Sequence, residues 1–491
     1  MKNKVLMIQP PILQSNLNVD EIQKAYWKTL SESVTHIMKR ENINHQLTER
    51  EYNFTGFVEP NIGFLYIASI LKQNNYEIKY IDFHLLDAEI RDKTNHKIEM
   101  NDIYDTLKNI EDQFFDIIAI SPLTVNFKWA IEISKIIKNQ HPKSIIILGG
   151  VHVSFDYERI LTNYKEIDYI IVGEGEQTII ELLNCIQNKY DCSKVKGVAY
   201  KQGNEIFFSG SRNFIDDLDE LPYPLYSLLP KKYFDSFIVR ILTSRGCSNN
   251  CSFCVPSKVF NKLRYRSVNN VIDEIEYYIN NYGKRVFMLG DLNFMSDYDY
   301  TVSFCNEIIT RKLKIIWFCQ SRADLVDKNI VKLMKRAGCI MICIGIESAE
   351  QELLDNTDKK ATPNKCIEAC EIIRAIGVNV FTFWVFGLPG ETHQSAHKTI
   401  VLLREMIDKD LIQYTHCSIL VPYPGTELFK NPEASGINIL SDNFNEYWMG
   451  CDYLGAGLPV IETKELSKYE IYAYWQLALS VVAGNLNKHP F

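Results

Sequence analysis

The chain contains no run of about 18 apolar residues, the length that a membrane-crossing helix needs. Its first residues, MKNKVLMIQPPILQ, offer an apolar stretch too short for the core of a secretory signal. Low-complexity segments and internal repeats are also missing, which excludes solenoid and fibrous architectures. Basic residues are in the minority, 53 Lys and Arg against 61 Asp and Glu, for a net charge of -8. Such a chain exerts no long-range pull on nucleic acid or on an anionic membrane surface. The expected setting is the cytoplasm, and the expected partner is a small molecule or a peptide, with no nucleic acid and no membrane. What the chain does have is bulk: 491 residues, 46% hydrophobic and 23% charged. That exceeds the roughly 250 to 300 residues at which one hydrophobic core stops growing, so at least two domains are expected.

Paired cysteines are scarce as well. The 13 cysteines are an odd number, mostly isolated in apolar segments such as MICIGI (341–346), as buried reduced thiols usually are. Only RGCSNNCSFC (245–254) gathers three, Cys247, Cys251 and Cys254, at a C-x3-C-x2-C spacing with no fourth within reach. A structural zinc site prefers paired C-x2-C units and four protein ligands. A 4Fe-4S cluster can take three thiolates and keep one iron open for another ligand. A zinc-stapled structural protein stays as the alternative.

Residues 1–200 alternate short apolar runs with amphipathic segments, the pattern of parallel strands joined by crossover helices. Strands are expected at 4–9, 77–83, 116–121, 144–150 and 167–173, with helices at 62–73, 127–138 and 176–187. These units predict a flavodoxin-like doubly wound (Rossmann-like) α/β sheet, with ligands beyond the carboxyl ends of its strands. Residues 14–60 are too long for an ordinary loop and read as an inserted cap. A polar, Pro-containing stretch at 214–230 marks a linker, set at 201–235. The alternation then restarts, with strands at 237–243, 285–289, 314–319, 340–346, 378–386 and 413–420. Six βα units over 236–439 predict a partial barrel, the cysteines following its first strand. Thr362, Pro363 and Gly377 supply the start and stop chemistry of a helix over 363–376. Residues 440–491 are expected to close over the substrate.

The cysteine motif in that position resembles the signature of the radical S-adenosylmethionine (SAM) enzymes. VFMLGDLNF (286–294), QSRADLV (320–326), IGIES (344–348) and FGLPGET (386–392) are similar to that family's later strand-end motifs, in the same order. The first half resembles the cobalamin-binding domain of its B12-dependent branch. The resemblance implies a partial (β/α)6 radical SAM barrel after a B12-binding domain, a 4Fe-4S cluster on the three cysteines, and SAM chelating the open iron. It implies cleavage of SAM to a 5′-deoxyadenosyl radical, and a reductant such as flavodoxin or ferredoxin.

Carried onto this chain, the SAM contacts are Phe253, Gly290, Asp291, Arg322, Glu347, Gly387 and Pro389. Each has a plain alternative. Gly290-Asp291 stands where the family has Gly-Gly-Glu, and is otherwise a turn. Glu347 contacts SAM or caps the following helix. Arg322 pairs with the SAM carboxylate or with Asp324. Gly387, Pro389 and Gly390 shape an adenine loop or an ordinary turn, and Phe253 leans on adenine or only packs. The expected cobalamin contacts are Ser121, Leu123 and Thr124 after the third strand, Gly149, Gly150, Val151 and His152 after the fourth, and Gly173, Glu174 and Gly175 after the fifth. Glycine there lets a planar macrocycle approach the backbone. Cobalt is expected to receive no histidine. Asp82-Phe83-His84 with Asp87 only superficially matches D-x-H-x-x-G, and the loop after the first strand, QPPILQ, has no imidazole. The resemblance implies methylation of an unactivated carbon or a phosphinate through methylcobalamin and a 5′-deoxyadenosyl radical. A B12-dependent radical cyclase or rearrangement enzyme, and a sensor of B12 or redox state without turnover, are the other readings.

Overall fold

The computed structural model describes residues 4–11, 60–447 and 458–486, apart from 95, 111, 112, 114, 232, 233 and 235–237. The expected insertion at 14–60, all but its last residue, and part of the expected covering segment 440–491 therefore lie outside the described residues.

The amino-terminal half is a mixed sheet in the order β2-β1-β3-β4-β5-β6-β7. Its strands are β1 (Lys4–Gln9), β2 (Glu77–Asp82), β3 (Ile117–Ile120), β4 (Ile145–Gly149), β5 (Tyr169–Ile171), β6 (Val198–Gln202) and β7 (Glu205–Phe208). The first five are parallel, in the flavodoxin order expected from the alternation. Runs such as IIAI in β3 are apolar at every position because helices cover both faces. The core splits accordingly into two layers. Leu6, Ile8, Ile118 and Ile120 face one side, and Val5, Met7, Ile117 and Ala119 face the other. Helices α1 (Ile62–Gln73), α2 (Phe127–Gln140), α3 (Val151–Asn163) and α4 (Glu176–Asn188) supply the cover. The antiparallel pair β6 and β7 was not expected and takes the sheet past residue 200. Gly203, in the left-handed region at φ 64°, turns the chain between them.

The second sheet has six parallel strands in simple sequential order. They are β8 (Val239–Ile241), β9 (Val286–Leu289), β10 (Ile316–Ser321), β11 (Cys339–Glu347), β12 (Asn379–Phe386) and β13 (Tyr414–Ile419). Each lies within or close to its expected range. β8 and β13 stand at the two ends, so among the described residues the barrel is partial and does not close. Period-2 alternation separates two surfaces. Val239, Ile241, Trp317 and Cys319 join the core under the helices. Val286, Ile316, Phe318, Met341, Cys343, Phe381 and Tyr414 form a separate cluster on the opposite, inner face. Helix α5 (Pro363–Ile376) has its Thr362 cap, Pro363 at its first position and left-handed Gly377 at its end. Helix α6 (Lys468–Leu486) returns to the barrel, where Trp475 Nε1 donates to the Cys417 carbonyl at 2.8 Å.

Candidate functional site

The cysteine loop leaves β8 through a short strand, Ser244–Arg245, that pairs antiparallel with Arg264–Tyr265. At Gly246 the backbone has φ 96°, and a Cβ would lie 2.2 Å from the Lys262 carbonyl oxygen, so only glycine fits. Cys247 N–H then donates to Phe260 O at 3.1 Å. Asn249 turns its backbone N–H (3.4 Å) and its side-chain amide (3.6 Å) toward Cys247 Sγ. Cys254 N–H donates to Cys251 O at 3.1 Å, and Ser252 N–H to Thr357 O at 3.0 Å. All three thiols are half-buried and reduced. Burial pushes the Cys251 thiol up, and the neighbouring charges of Lys359 and Arg322 pull it back toward thiolate. Among the described residues, no three His, Cys, Asp or Glu side chains converge as the ligands of one ion do. Half-buried thiols on one loop, two N–H groups aimed at a sulfur and two nearby cations suit a cluster that takes one thiolate per iron.

The expected SAM contacts divide on inspection. Glu347 closes β11 at φ 67°, a strained position for a residue other than glycine, and is buried. Its carboxylate meets Lys359 Nζ at 2.5 Å. Burial works against the charge on Lys359, but Glu347 outweighs it and the ammonium is held above its usual range. The helix-cap alternative for Glu347 does not hold, since Ser348 Oγ and Thr399 Oγ1 receive the next N–H groups. Arg322 lies against Asp324 (2.9 and 3.2 Å) and donates to the carbonyls of Lys359 (2.6 Å) and Lys360 (2.8 Å). The Asp324 alternative is thus the pairing seen, and the other Arg322 donors fasten the 359–360 turn. Asp291 is turned inward. Thr243 N–H (3.3 Å), Thr243 Oγ1 (2.8 Å) and Ser244 Oγ (2.5 Å) all donate to it, so it joins β9 to the root of the cysteine loop. Gly290 lets Arg240 cross over it, since a Cβ would come within 2.7 Å of that side chain. Phe253 is half-buried against the main core.

Gly387 (φ 85°) faces Ile461 and Ile471, which a Cβ would meet at 3.2 and 3.3 Å; its tight approach is to the carboxyl-terminal segment rather than to an open ligand space. Gly390 is also left-handed, and Pro389 O accepts from Asn356 at 3.3 Å. One residue of FGLPGET escaped the sequence reading. Glu391 is fully buried, accepts the Gly387 N–H at 2.5 Å, and has Oε1 without a hydrogen-bond partner among the described residues. Burial pushes its carboxyl up to about 8.

In the first sheet, the expected cobalamin residues gather at the carboxyl ends of β3, β4 and β5. Ser121 Oγ accepts from Asn61 at 3.1 Å and would lie 3.2 Å from a Cβ on Gly150, itself at φ 112°. Leu123 is 43% exposed, an apolar side chain left uncovered at a strand end. Gly149 ends β4 and Val151 opens α3. Gly173 (φ 85°) has nothing within 4 Å of where its Cβ would be, an open approach to the backbone. Gly175 instead packs near Ile67, 3.1 Å away.

Two residues behave otherwise. His152 is buried between the rings of Phe127 (4.8 Å) and Phe444 (5.0 Å), and its Nδ1 lies 3.1 Å from Thr124 Oγ1. Burial, with help from Arg159, lowers its pKa to about 3, so the imidazole is neutral and serves packing. Glu174 turns away from the strand-end space and takes a paired contact from Arg264, at 2.8 and 3.0 Å. Burial alone would raise its pKa, but Arg264, the Ile215 N–H and Arg245 outweigh that and hold it below the usual range. Asp82 caps the following helix through the N–H groups of His84 and Leu85, and Asp87 accepts from Ile98 N–H at 2.7 Å. Both carboxylates of that motif are thus engaged with nearby backbone.

Sequence comparison matches the B12 binding domain over residues 55–183 and the Radical SAM superfamily over residues 241–403, together more than half of the chain. An uncharacterised methyltransferase of Pyrococcus horikoshii is 29% identical over 396 residues, which is 80% of this chain and 82% of that protein. The anaerobic magnesium-protoporphyrin IX monomethyl ester cyclase of Cereibacter sphaeroides is 28% identical over 382 residues, 76% of this chain and 60% of the cyclase. The same fold is found in a radical S-adenosylmethionine methyltransferase of Kitasatospora setae, TsrM, solved with cobalamin and a [4Fe-4S] cluster. The TM-score is 0.67 at 15% identity, over 99% of this chain and 89% of that one.

Proposed function

The chain belongs to the cobalamin-binding radical SAM family, and from that premise we propose that it is a methyltransferase acting on an unactivated carbon, or on a phosphinate, of a small molecule or peptide. One observation carries the reading. The reduced thiol trio sits at the carboxyl end of a six-stranded parallel sheet, and that loop is joined by ion pairs to the glycine-rich strand-end loop of a flavodoxin-order sheet. When bound, the cluster would supply the electron that splits SAM to a 5′-deoxyadenosyl radical, and cobalamin would carry the methyl group.

The chain's own residues do the rest. Cys247, Cys251 and Cys254 would hold three irons, with the two Asn249 donors aimed at Cys247 and the Lys359 and Arg322 charges offsetting part of the burial that raises the Cys251 thiol. Glu347 would take the SAM ammonium or a ribose hydroxyl, and Phe253 would lean on the adenine. Ser121, Leu123, Thr124, Gly149, Gly150 and Gly173 would cradle the corrin. The inner barrel face offers the substrate a largely apolar wall, with Met288 and Phe383 half-exposed beside Arg240 and Gln320. Water exclusion and orientation there are what radical chemistry asks of a protein. A low-potential reductant such as flavodoxin or ferredoxin, and a reducing cytoplasm that keeps the thiols free, complete the proposal. The cyclase relative supports a second reading, ring closure or rearrangement without methyl transfer.

Supplied anaerobically with SAM, cobalamin, reductant and native substrate, the protein is expected to release both S-adenosylhomocysteine and 5′-deoxyadenosine. Formation of neither, with cluster and cobalamin bound, would leave a sensor rather than an enzyme.

A further inference from the structure

Arg245 stands two residues before Cys247, and Arg264 is on the strand that returns from the cysteine loop. Both reach across to the loop after β5. Arg264 grips Glu174 with two nitrogens, and Arg245 meets Glu176 at 2.7 Å and Glu174 at 3.4 Å. Their guanidinium groups lie over the rings of Tyr66 (5.0 Å) and Phe214 (4.6 Å). Arg264 also donates to Ile215 O at 2.6 Å while Ile215 N–H donates to Glu174 at 2.9 Å, which ties in the linker. The four side chains are 3 to 11% exposed.

Buried ion pairs are poor glue. The cost of stripping water from the charges largely cancels their attraction, and well-packed apolar residues would hold two domains as firmly. What a forked guanidinium–carboxylate pair provides is a fixed distance and angle. Here the fixed elements are the loop with Gly173, open to the macrocycle, and the loop with the cluster cysteines.

We propose that Glu174, Glu176, Arg245 and Arg264 form a positioning strut that sets the separation and tilt of cobalamin relative to the cluster, so that methyl donor and radical address the same substrate atom. The assignment rests on both cofactors binding as proposed above. It gives these residues no contact with substrate.

The test uses holoenzyme with cob(II)alamin and reduced cluster, and reads the dipolar coupling between the two spins by pulsed electron paramagnetic resonance. The variants are Glu174→Gln and the double variant E174Q/R264M, whose neutral pair strands no charge in the interior. Wild type is expected to give one narrow distance distribution, and both variants a broadened or shifted one with unchanged iron and cobalt content. In the variants, 5′-deoxyadenosine formed per methyl transferred should rise at least about fivefold while its rate of formation stays within about twofold, the mark of misalignment rather than lost chemistry. A double variant with the wild-type distribution and wild-type coupling overturns the proposal, as does a parallel fall of both products. Should Glu174→Gln fail to fold, the double variant decides. A wild type that binds no cobalt removes the proposed function and the strut together. One that binds both groups but releases no S-adenosylhomocysteine removes only the methyltransferase, because the distance measurement needs no turnover.

Discussion

Glu391 and His152 are buried with opposite consequences for stability against pH. The Glu391 carboxyl, raised to about 8, is protonated in the folded protein at pH values where the unfolded chain has ionised. The folded state then holds the extra proton, so stability declines as pH climbs from about 4.5 toward 8 and levels off above. Glu391→Gln keeps the shape without the proton, and its stability should gain on wild type across that window, by an amount on the order of a few kcal/mol. Chemical denaturation at pH 5 and pH 8 checks this; an equal difference at both would contradict it. His152, lowered to about 3, remains neutral while the unfolded histidine takes up a proton, so stability falls as pH drops from about 6.5 toward 3. A His152→Gln variant should lose that part of the acid sensitivity in the same measurement. At the thiols, the Cys247, Cys251 and Cys254 triple alanine variant should hold no iron where reconstituted wild type holds about four per chain. Iron retained in the variant would move the cluster elsewhere.

Individual strands and loops show why some positions could be read from sequence and others could not. Gly246 and Gly173 both adopt left-handed backbone, yet only Gly246 is crowded. Gly246→Ala forces the loop off Lys262 and is expected to lower iron content several-fold while sparing cobalamin. Gly173→Ala should cost about 1–2 kcal/mol of strain and weaken cobalamin instead, since its Cβ projects into the open approach. Iron and cobalt analysis of the two variants checks the pair. The eleven main strands and helix α5 were legible because apolar periodicity and capping residues are local signals. The β6–β7 hairpin was missed although Gly203 marks its turn, because its alternation is short and half-exposed. The cysteine motif was legible for the same reason: its meaning lies within eight residues. Glu174 was misread because its partner, Arg264, lies 90 residues away. Asp291 and Arg322 likewise looked available until tertiary neighbours absorbed their hydrogen bonds. Glu391 carried no signal at all, since nothing local says that a Gly-Glu-Thr turn will be buried.

Across the whole molecule, ion pairs join the loop after β5 to the loop after β8, and a single core cluster runs through both sheets. The flavodoxin-order sheet ends β4 and β5 in glycine-lined loops and the sequential barrel carries three thiols in the loop after its first strand, so the proposed chemistry would sit where those loops are joined. Within the described residues no helix is long and apolar enough to cross a membrane. The central claim is that the two halves jointly deliver a methyl group. Its most direct test supplies native substrate, cobalamin, reductant and SAM bearing a trideuterated methyl group, and reads products by mass spectrometry. A product heavier by one CD3 group, with one S-adenosylhomocysteine and one 5′-deoxyadenosine per turnover, is the expected result. A product formed with 5′-deoxyadenosine but without deuterium, and with no S-adenosylhomocysteine, would contradict methyl transfer and leave the cyclase or rearrangement reading in its place.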